Sequence, residues 1–279
     1  MENDRLPIEE FPLDRSPRRV VSLIPSLTES LFDLNLGDLL VGVTDFCVHP
    51  VDKVATLPRV GGTKTPDIPA IIRLEPELVF ANREENRKKD VEALRAAGVP
   101  VWVTYPRTVA DVFFILWEIM ERFGETSMVP RVRLIEQTFD LVQGVSKAQD
   151  RPVRVFAPIW KNPLMTFTQD TYLHDVLAVC GGENVFADLA DRYPTVTLAQ
   201  VEAAQPEVIL LPSEPYAFSE ADKAMFAVLD IPAAKHDRIL LVDGSLLTWH
   251  GTRLAYTLDT VPGLLSTGEM DGERGQASE

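Results

Sequence analysis

The chain has 279 residues, enough for two α/β lobes of the usual domain size of roughly 100–150 residues. Hydrophobic residues make up 46% and charged residues 25%, the balance of an ordinary globular protein and one that excludes disorder outside the ends. A net charge of −15 argues against nucleic acid or an anionic membrane as the main partner, because both select Lys/Arg surfaces.

No stretch approaches the roughly 18 apolar residues of a membrane span, so membrane insertion is not expected. Residues Met1 to Glu10 carry no basic n-region and no apolar h-region, which predicts a cytoplasmic protein. A trimmed mature domain would instead be periplasmic or extracellular. Cys47 and Cys180 are too few for a disulfide framework and read as free thiols.

In chain order, Arg19 to Ile24 is a short apolar strand stopped by Pro25. Ser26-Leu27-Thr28-Glu29 has the spacing of a capping box, and the helix it opens ends at Gly37. Leu39 to Thr44 is the next strand. Ile68 to Leu74 predicts a short helix, Pro76 to Ala81 a buried strand, Lys88 to Ala97 a helix and Val99 to Thr104 a strand. Apolar residues at helical spacing over Val109 to Phe123 are interrupted by Gly124, and a second helix covers Met128 to Lys147. Its Val132, Ile135, Phe139, Leu141 and Val142 are expected to pack inward.

The same order then returns. Val153 to Ala157 is a strand, a loop with Trp160 and Met165 leads to a helix over Thr171 to Val179, and Val201 to Ala204 is a short helix before the strand opened by Pro206-Glu207. Leu74-Glu75-Pro76-Glu77-Leu78-Val79 and Ala204-Gln205-Pro206-Glu207-Val208-Ile209 match, with prolines 206 − 76 = 130 residues apart. The prediction is an α/β fold: two Rossmann-like lobes with parallel sheets, joined by a long backbone α-helix. The segments are an N-terminal extension (1–17), a first lobe (18–124), the linking helix (125–150), a second lobe (151–265) and a disordered tail (266–279). Residues 1 to about 16 are expected to be loosely ordered as well.

Several of these segments resemble a known group. Arg19 to Glu29 with Leu36 to Thr44, Leu57-Pro58-Arg59-Val60-Gly61-Gly62 and Leu74 to Val79 are similar to the opening of helical-backbone metal receptors, the class III periplasmic substrate-binding proteins. Asp175 to Gly182 with Asn184-Val185-Phe186 continues the likeness, and Asp45-Phe46-Cys47 leans towards cobalamin-binding ABC-transporter substrate-binding proteins. The resemblance implies a soluble receptor that binds a metal chelate, a corrinoid or an iron chelate, in a cleft between two lobes. It implies no intrinsic cofactor and no catalysis. A ferric-siderophore or haem receptor, or a tetrapyrrole- or metal-chelate-processing enzyme of related fold, are the alternatives. In members that feed an importer, one glutamate per lobe docks on the permease; Pro69 and Ala199 stand at those positions here, which argues against such docking.

Ligands of two-lobed α/β proteins meet the loops at the carboxyl ends of the strands. In the first lobe these loops carry Pro25, Ser26 and Thr28, where helix amides could meet an anionic or carbonyl group. They also carry Asp45, Phe46, Gly62, Thr63 and Lys64. Trp160, Met165, Tyr216, Trp249, His250 and Arg253 supply aromatic walls and polar anchors for a flat macrocycle. Trp249-His250 is predicted to lie in a loop. His250 and His49 are candidate ligands for the chelated metal, and Cys47 would share one side of an extended segment with His49. No nucleophile elbow, phosphate loop, dinucleotide fingerprint or His-Glu-x-x-His motif occurs.

Overall fold

Two four-stranded sheets, parallel throughout, organise the chain in the computed structural model, which describes residues 6–266. The first part contains β1 (Val20–Ser22), α1 (Pro25–Asp33), β2 (Leu40–Val43), α2 (Val51–Val54) and the hairpin β3 (Gly61–Gly62) and β4 (Thr65–Pro66). It continues through α3 (Ile68–Arg73), β5 (Leu78–Asn82), α4 (Lys88–Ala96), β6 (Val101–Thr104) and α5 (Val109–Phe123). The sheet order is β2-β1-β5-β6.

After α6 (Val129–Lys147) come β7 (Val153–Phe156), α7 (Tyr172–Val179), β8 (Gly182–Asn184), α8 (Leu198–Ala204) and β9 (Val208–Pro212). The chain then forms α9 (Glu220–Ala227), α10 (Pro232–Lys235), β10 (Ile239–Val242), α11 (Ser245–Thr248) and α12 (Leu254–Leu265). This sheet runs β8-β7-β9-β10, the same path as the first. The chain divides into two compact units, Met1–Thr138 with Thr248–Ala255, and Phe139–Leu247 with Tyr256–Glu279. The first division falls inside α6.

Each sheet is covered on both faces, which is why its strands read as continuous apolar runs. In the first unit Val79, Ala81, Val101 and Val103 face a core with Ile71, Val91 and Leu94. The alternate residues Phe80 and Trp102 meet each other with ring centroids 5.4 Å apart. Phe80 also stacks 6.2 Å from Phe123 of α5. In the second unit Phe156, Ile209, Leu211 and Ile239 pack with Val201 and Phe226.

The repeated Pro-Glu segment is one device used twice. Glu75 and Gln205 take left-handed conformations at φ 48° and 46°, and the glutamates two residues on accept bonds from the start of the neighbouring strand. Glu77 pairs with Arg15 at 2.5 Å and accepts from the Arg18 amide. Glu207 pairs twice with Arg151 at 2.7 Å and accepts from the Arg154 amide at 3.0 Å. The Arg151 guanidinium, helped by the Arg154 amide, holds the Glu207 carboxyl at about 2. A depressed carboxyl stabilises the fold above its ordinary pKa of about 4.5 and loses that contribution as pH falls towards 2. Screening at this solvent-facing pair limits it to about 0.5–1 kcal/mol. Glu207→Gln should therefore flatten the loss of urea stability between pH 5 and pH 2 by that amount. An unchanged acid limb would contradict the assignment.

Some expectations are corrected. Two residues of the N-terminal segment are packed: Ile8 is buried and pairs antiparallel with Thr104, and the Phe11 ring lies 4.7 Å from Trp102. Leu141 of α6 is 67% exposed, whereas Val132 and Ile135 are buried. The predicted tail beyond Ser266 lies outside the described residues. No helix among the described residues is long and apolar enough to cross a membrane.

Candidate functional site

The first turn of α1 sits behind β1, at the carboxyl edge of the first sheet, and is fully buried. Ile24 is its N-cap and Pro25 its first residue, with no side-chain cap. The Ser26–Glu29 spacing therefore serves another purpose. Both side chains reach the segment 248–255, where Trp249 and His250 lie in irregular chain, as expected, ahead of a 3-10 turn over Gly251–Arg253. The Arg253 guanidinium donates to both Glu29 oxygens, at 2.9 and 2.7 Å. Ser26 Oγ lies 3.4 Å from His250 Nδ1. Ser30 Oγ accepts from the Thr252 amide at 3.0 Å, and Thr252 Oγ1 donates to Asp33 at 2.7 Å.

Gly251 is required by this contact. Its φ is +91°, and a Cβ there would lie 2.1 Å from Ser30 Oγ. Arg253 also stands 5.3 Å over the Trp249 ring, and Trp249 meets His49 edge-on at 5.9 Å. Burial raises the Glu29 carboxyl above its usual range despite Arg253. His250 is 4% exposed, and burial brings its pKa down to about 4. Its imidazole is thus neutral at physiological pH and enclosed. His49 is half-buried. Among the described residues no group of three or more His, Cys, Asp or Glu could hold a metal ion.

Cys47 is not at the surface. It is fully buried, its Sγ 3.1 Å from Thr28 Oγ1 and 3.2 Å from Thr44 Oγ1, and burial raises its thiol pKa. The segment turns after Asp45 rather than extending. Pro25, Ser26 and Thr28 thus belong to the interior, and Trp249 and His250 with them.

Other candidates do gather at the surface of the first unit. The Asp45 amide donates to Gly61 O at 2.9 Å, which brings the loop after β2 against the hairpin. Phe46 is 60% exposed, its ring 3.3 Å from where a Cβ on Gly62 would stand. Asn86 Nδ2 donates to Thr63 O at 2.9 Å, and Lys64 bonds Glu84 O. Sequence reasoning missed the neighbours behind β5 and β6: Arg83 lies 4.7 Å and Arg107 5.8 Å from the Tyr105 ring. Their positions just past two strand ends were the available signal.

In the second unit Trp160, 43% exposed, meets Tyr216 edge-on at 5.6 Å, and Tyr216 meets Phe218 at 4.7 Å. Met165 pairs with Trp160 across a short hairpin. The loops after β7 and β9 thus build one aromatic wall. Behind the end of β8, a cavity of about 370 Å³ is lined by His174, Glu183, Asp188 and Leu189 among others. Its polar lining is rich in acceptors: two carboxylates and an imidazole whose pKa burial lowers. Such a surface favours N–H donors and repels carboxylates.

Each unit thus presents an exposed aromatic ring with polar groups beside it. A family model described as "Periplasmic binding protein" matches residues 20–244. The vitamin B12-binding protein of Vibrio cholerae serotype O1 is 27% identical over 256 residues, 90% of this chain and 87% of that protein. Among solved structures, the periplasmic vitamin B12-binding protein of Vibrio cholerae superposes with a TM-score of 0.74 at 24% identity, covering 89% of this chain and 96% of that one. A periplasmic heme-binding protein from Pseudomonas aeruginosa gives 0.74 at 20% identity, covering 89% and 92%. Both structures share the fold.

Proposed function

This chain belongs to the periplasmic binding protein family, whose members bind substrates rather than transform them, and we propose that its ligand is a cobalt corrinoid of the cobalamin type. The single observation that carries this is the 27% identity with a vitamin B12-binding protein across 90% of the chain. The exposed ring of Trp160 supplies flat apolar surface for a macrocycle. The acceptor-rich cavity at His174 and the net charge of −15 suit a corrin fringed with amides. They oppose the propionates of haem, so haem is the weaker candidate.

The same support favours a periplasmic or extracellular protein over the cytoplasmic one predicted from residues 1–10. Pro69 and Ala199 stand exposed at the second residues of α3 and α8, so a permease partner meeting these two positions would find no carboxylate there.

Titration with cyanocobalamin and haem, followed by absorbance and calorimetry, tests the proposal. Cyanocobalamin should saturate one site with a Kd of about 1 μM or below, a binding free energy near −8 kcal/mol. Haem should bind at least about tenfold more weakly. Trp160→Ala should weaken cyanocobalamin by about 30-fold, the size of an aromatic hot spot. No spectral or heat response to cyanocobalamin would remove the corrinoid assignment.

A further inference from the structure

Next to the exposed Trp160 stands a cation whose partner is almost entirely enclosed. Lys161 Nζ lies 2.5 Å from Asp222 Oδ1, and the Asp222 side chain is only 5% exposed. The other Asp222 oxygen accepts from the Ser219 amide at 2.8 Å and from Ser219 Oγ at 2.7 Å, the capping box of α9. Asp222 is thus fixed by its helix, and that helix is fixed in turn by Phe226, fully buried in the core of the second unit.

The segment carrying Lys161 is a tight hairpin. The Ile159 amide donates to Met165 O at 2.8 Å and the Met165 amide to Trp160 O at 2.9 Å. Trp160 Nε1 closes the turn on Asn162 O at 3.1 Å. These bonds are internal to the hairpin and set its shape. Lys161 ties it to α9, while the Trp160 ring reaches Tyr216 on the neighbouring loop. Lys161 is the first residue of the turn that follows Trp160, so its bond to α9 fixes the backbone on which the indole stands. An apolar pair of similar volume would stabilise as well or better. What a bonded ion pair adds is a single geometry.

We propose that Lys161 and Asp222 are positioning residues that set the direction of the Trp160 ring. The pair does not touch the ligand itself; it acts by holding the hairpin on α9 so that the indole is already oriented before a ligand arrives. The inference rests on the proposed role of Trp160 as a wall of the ligand site. Preorganisation of this kind matters because misplacement of a contact by about 1 Å is enough to cost it most of its value.

The test compares the full-length protein with Lys161→Met, Asp222→Asn and Lys161→Arg, each with and without Trp160→Phe, so that the Trp160 emission is obtained by difference. Three measurements are made: acrylamide quenching of that emission, the thermal midpoint, and the Kd for cyanocobalamin. Lys161→Met and Asp222→Asn should each raise the quenching of Trp160 and weaken cyanocobalamin by about tenfold, a loss below that of removing the ring. Lys161→Arg should restore both. The emission of the remaining tryptophans should not change, which separates positioning from general loosening. Two variants remove the pair from opposite ends, so a folding failure in one leaves the other to decide. Unchanged Trp160 quenching in a folded Lys161→Met or Asp222→Asn overturns the inference. Raised quenching with unchanged cyanocobalamin affinity upholds the positioning role and removes Trp160 from the proposed ligand site.

Discussion

Replacing Arg253 with methionine lowers the stability of the first unit by about 3–5 kcal/mol, the cost of leaving one partner of a buried pair uncompensated. The magnitude follows from the enclosure: the Arg253 and Glu29 side chains are 11% and 12% exposed and share two bonds. Glu29→Gln shifts stability in the same direction because it removes the charge that faces the guanidinium. The double variant Glu29→Leu/Arg253→Met recovers much of the loss, since two groups in direct contact are not additive. The loss in Arg253→Met is also smaller at pH 5 than at pH 8. Burial already raises the Glu29 carboxyl, and without its cation it takes up a proton in the folded state. A folded state that binds more protons than the unfolded one gains stability as pH falls. Urea unfolding at the two pH values measures both effects. Losses below about 1 kcal/mol, the range of exposed pairs, would mean that segment 248–255 is not fixed to α1 by this contact.

That contact also marks where the sequence stops being legible. The strand and helix order could be read because it is local: apolar runs of five or six residues, a helix over Val109 to Phe123 closed by Gly124 in a left-handed turn, and a Pro-Glu strand start repeated 130 residues later. Family likeness lay in the same short segments. Ser26-Leu27-Thr28-Glu29 misled because a capping box and a docking surface can share one spacing. The partners of Ser26, Glu29 and Ser30 lie 222 to 224 residues away, and no local pattern reports a contact at that range. His250 suffered similarly. It does lie in irregular chain beside a glycine, as expected, but Gly251 lets the turn approach Ser30, and that approach encloses the imidazole. Lys161 and Asp222 were equally silent, being 61 residues apart in segments with no shared period.

The N-terminal segment supplies the second large effect. Trp102 is fully buried at the edge strand β6, between Phe80 on one side and Phe11 on the other. Its Nε1 donates to Glu9 O at 2.7 Å, and Ile8 pairs with Thr104 beside it. One indole thus fills core volume and anchors the backbone that covers an otherwise open strand edge. Trp102→Ala should cost about 3–5 kcal/mol, the usual range for a buried tryptophan. It should also release residues near Glu9 and Phe11 to limited proteolysis before any other part of the chain opens. Trp102→Phe keeps the stacking and loses the hydrogen bond, worth about 1 kcal/mol, so it should fall well short of alanine. Phe11→Ala separates the two roles: it should loosen the segment while leaving Trp102 in the core. If Trp102→Ala loses stability but cleavage near Glu9 and Phe11 does not rise, those residues are held by their other contacts. Arg95 with Glu9 and Arg15 with Glu77 would then be the next pairs to remove.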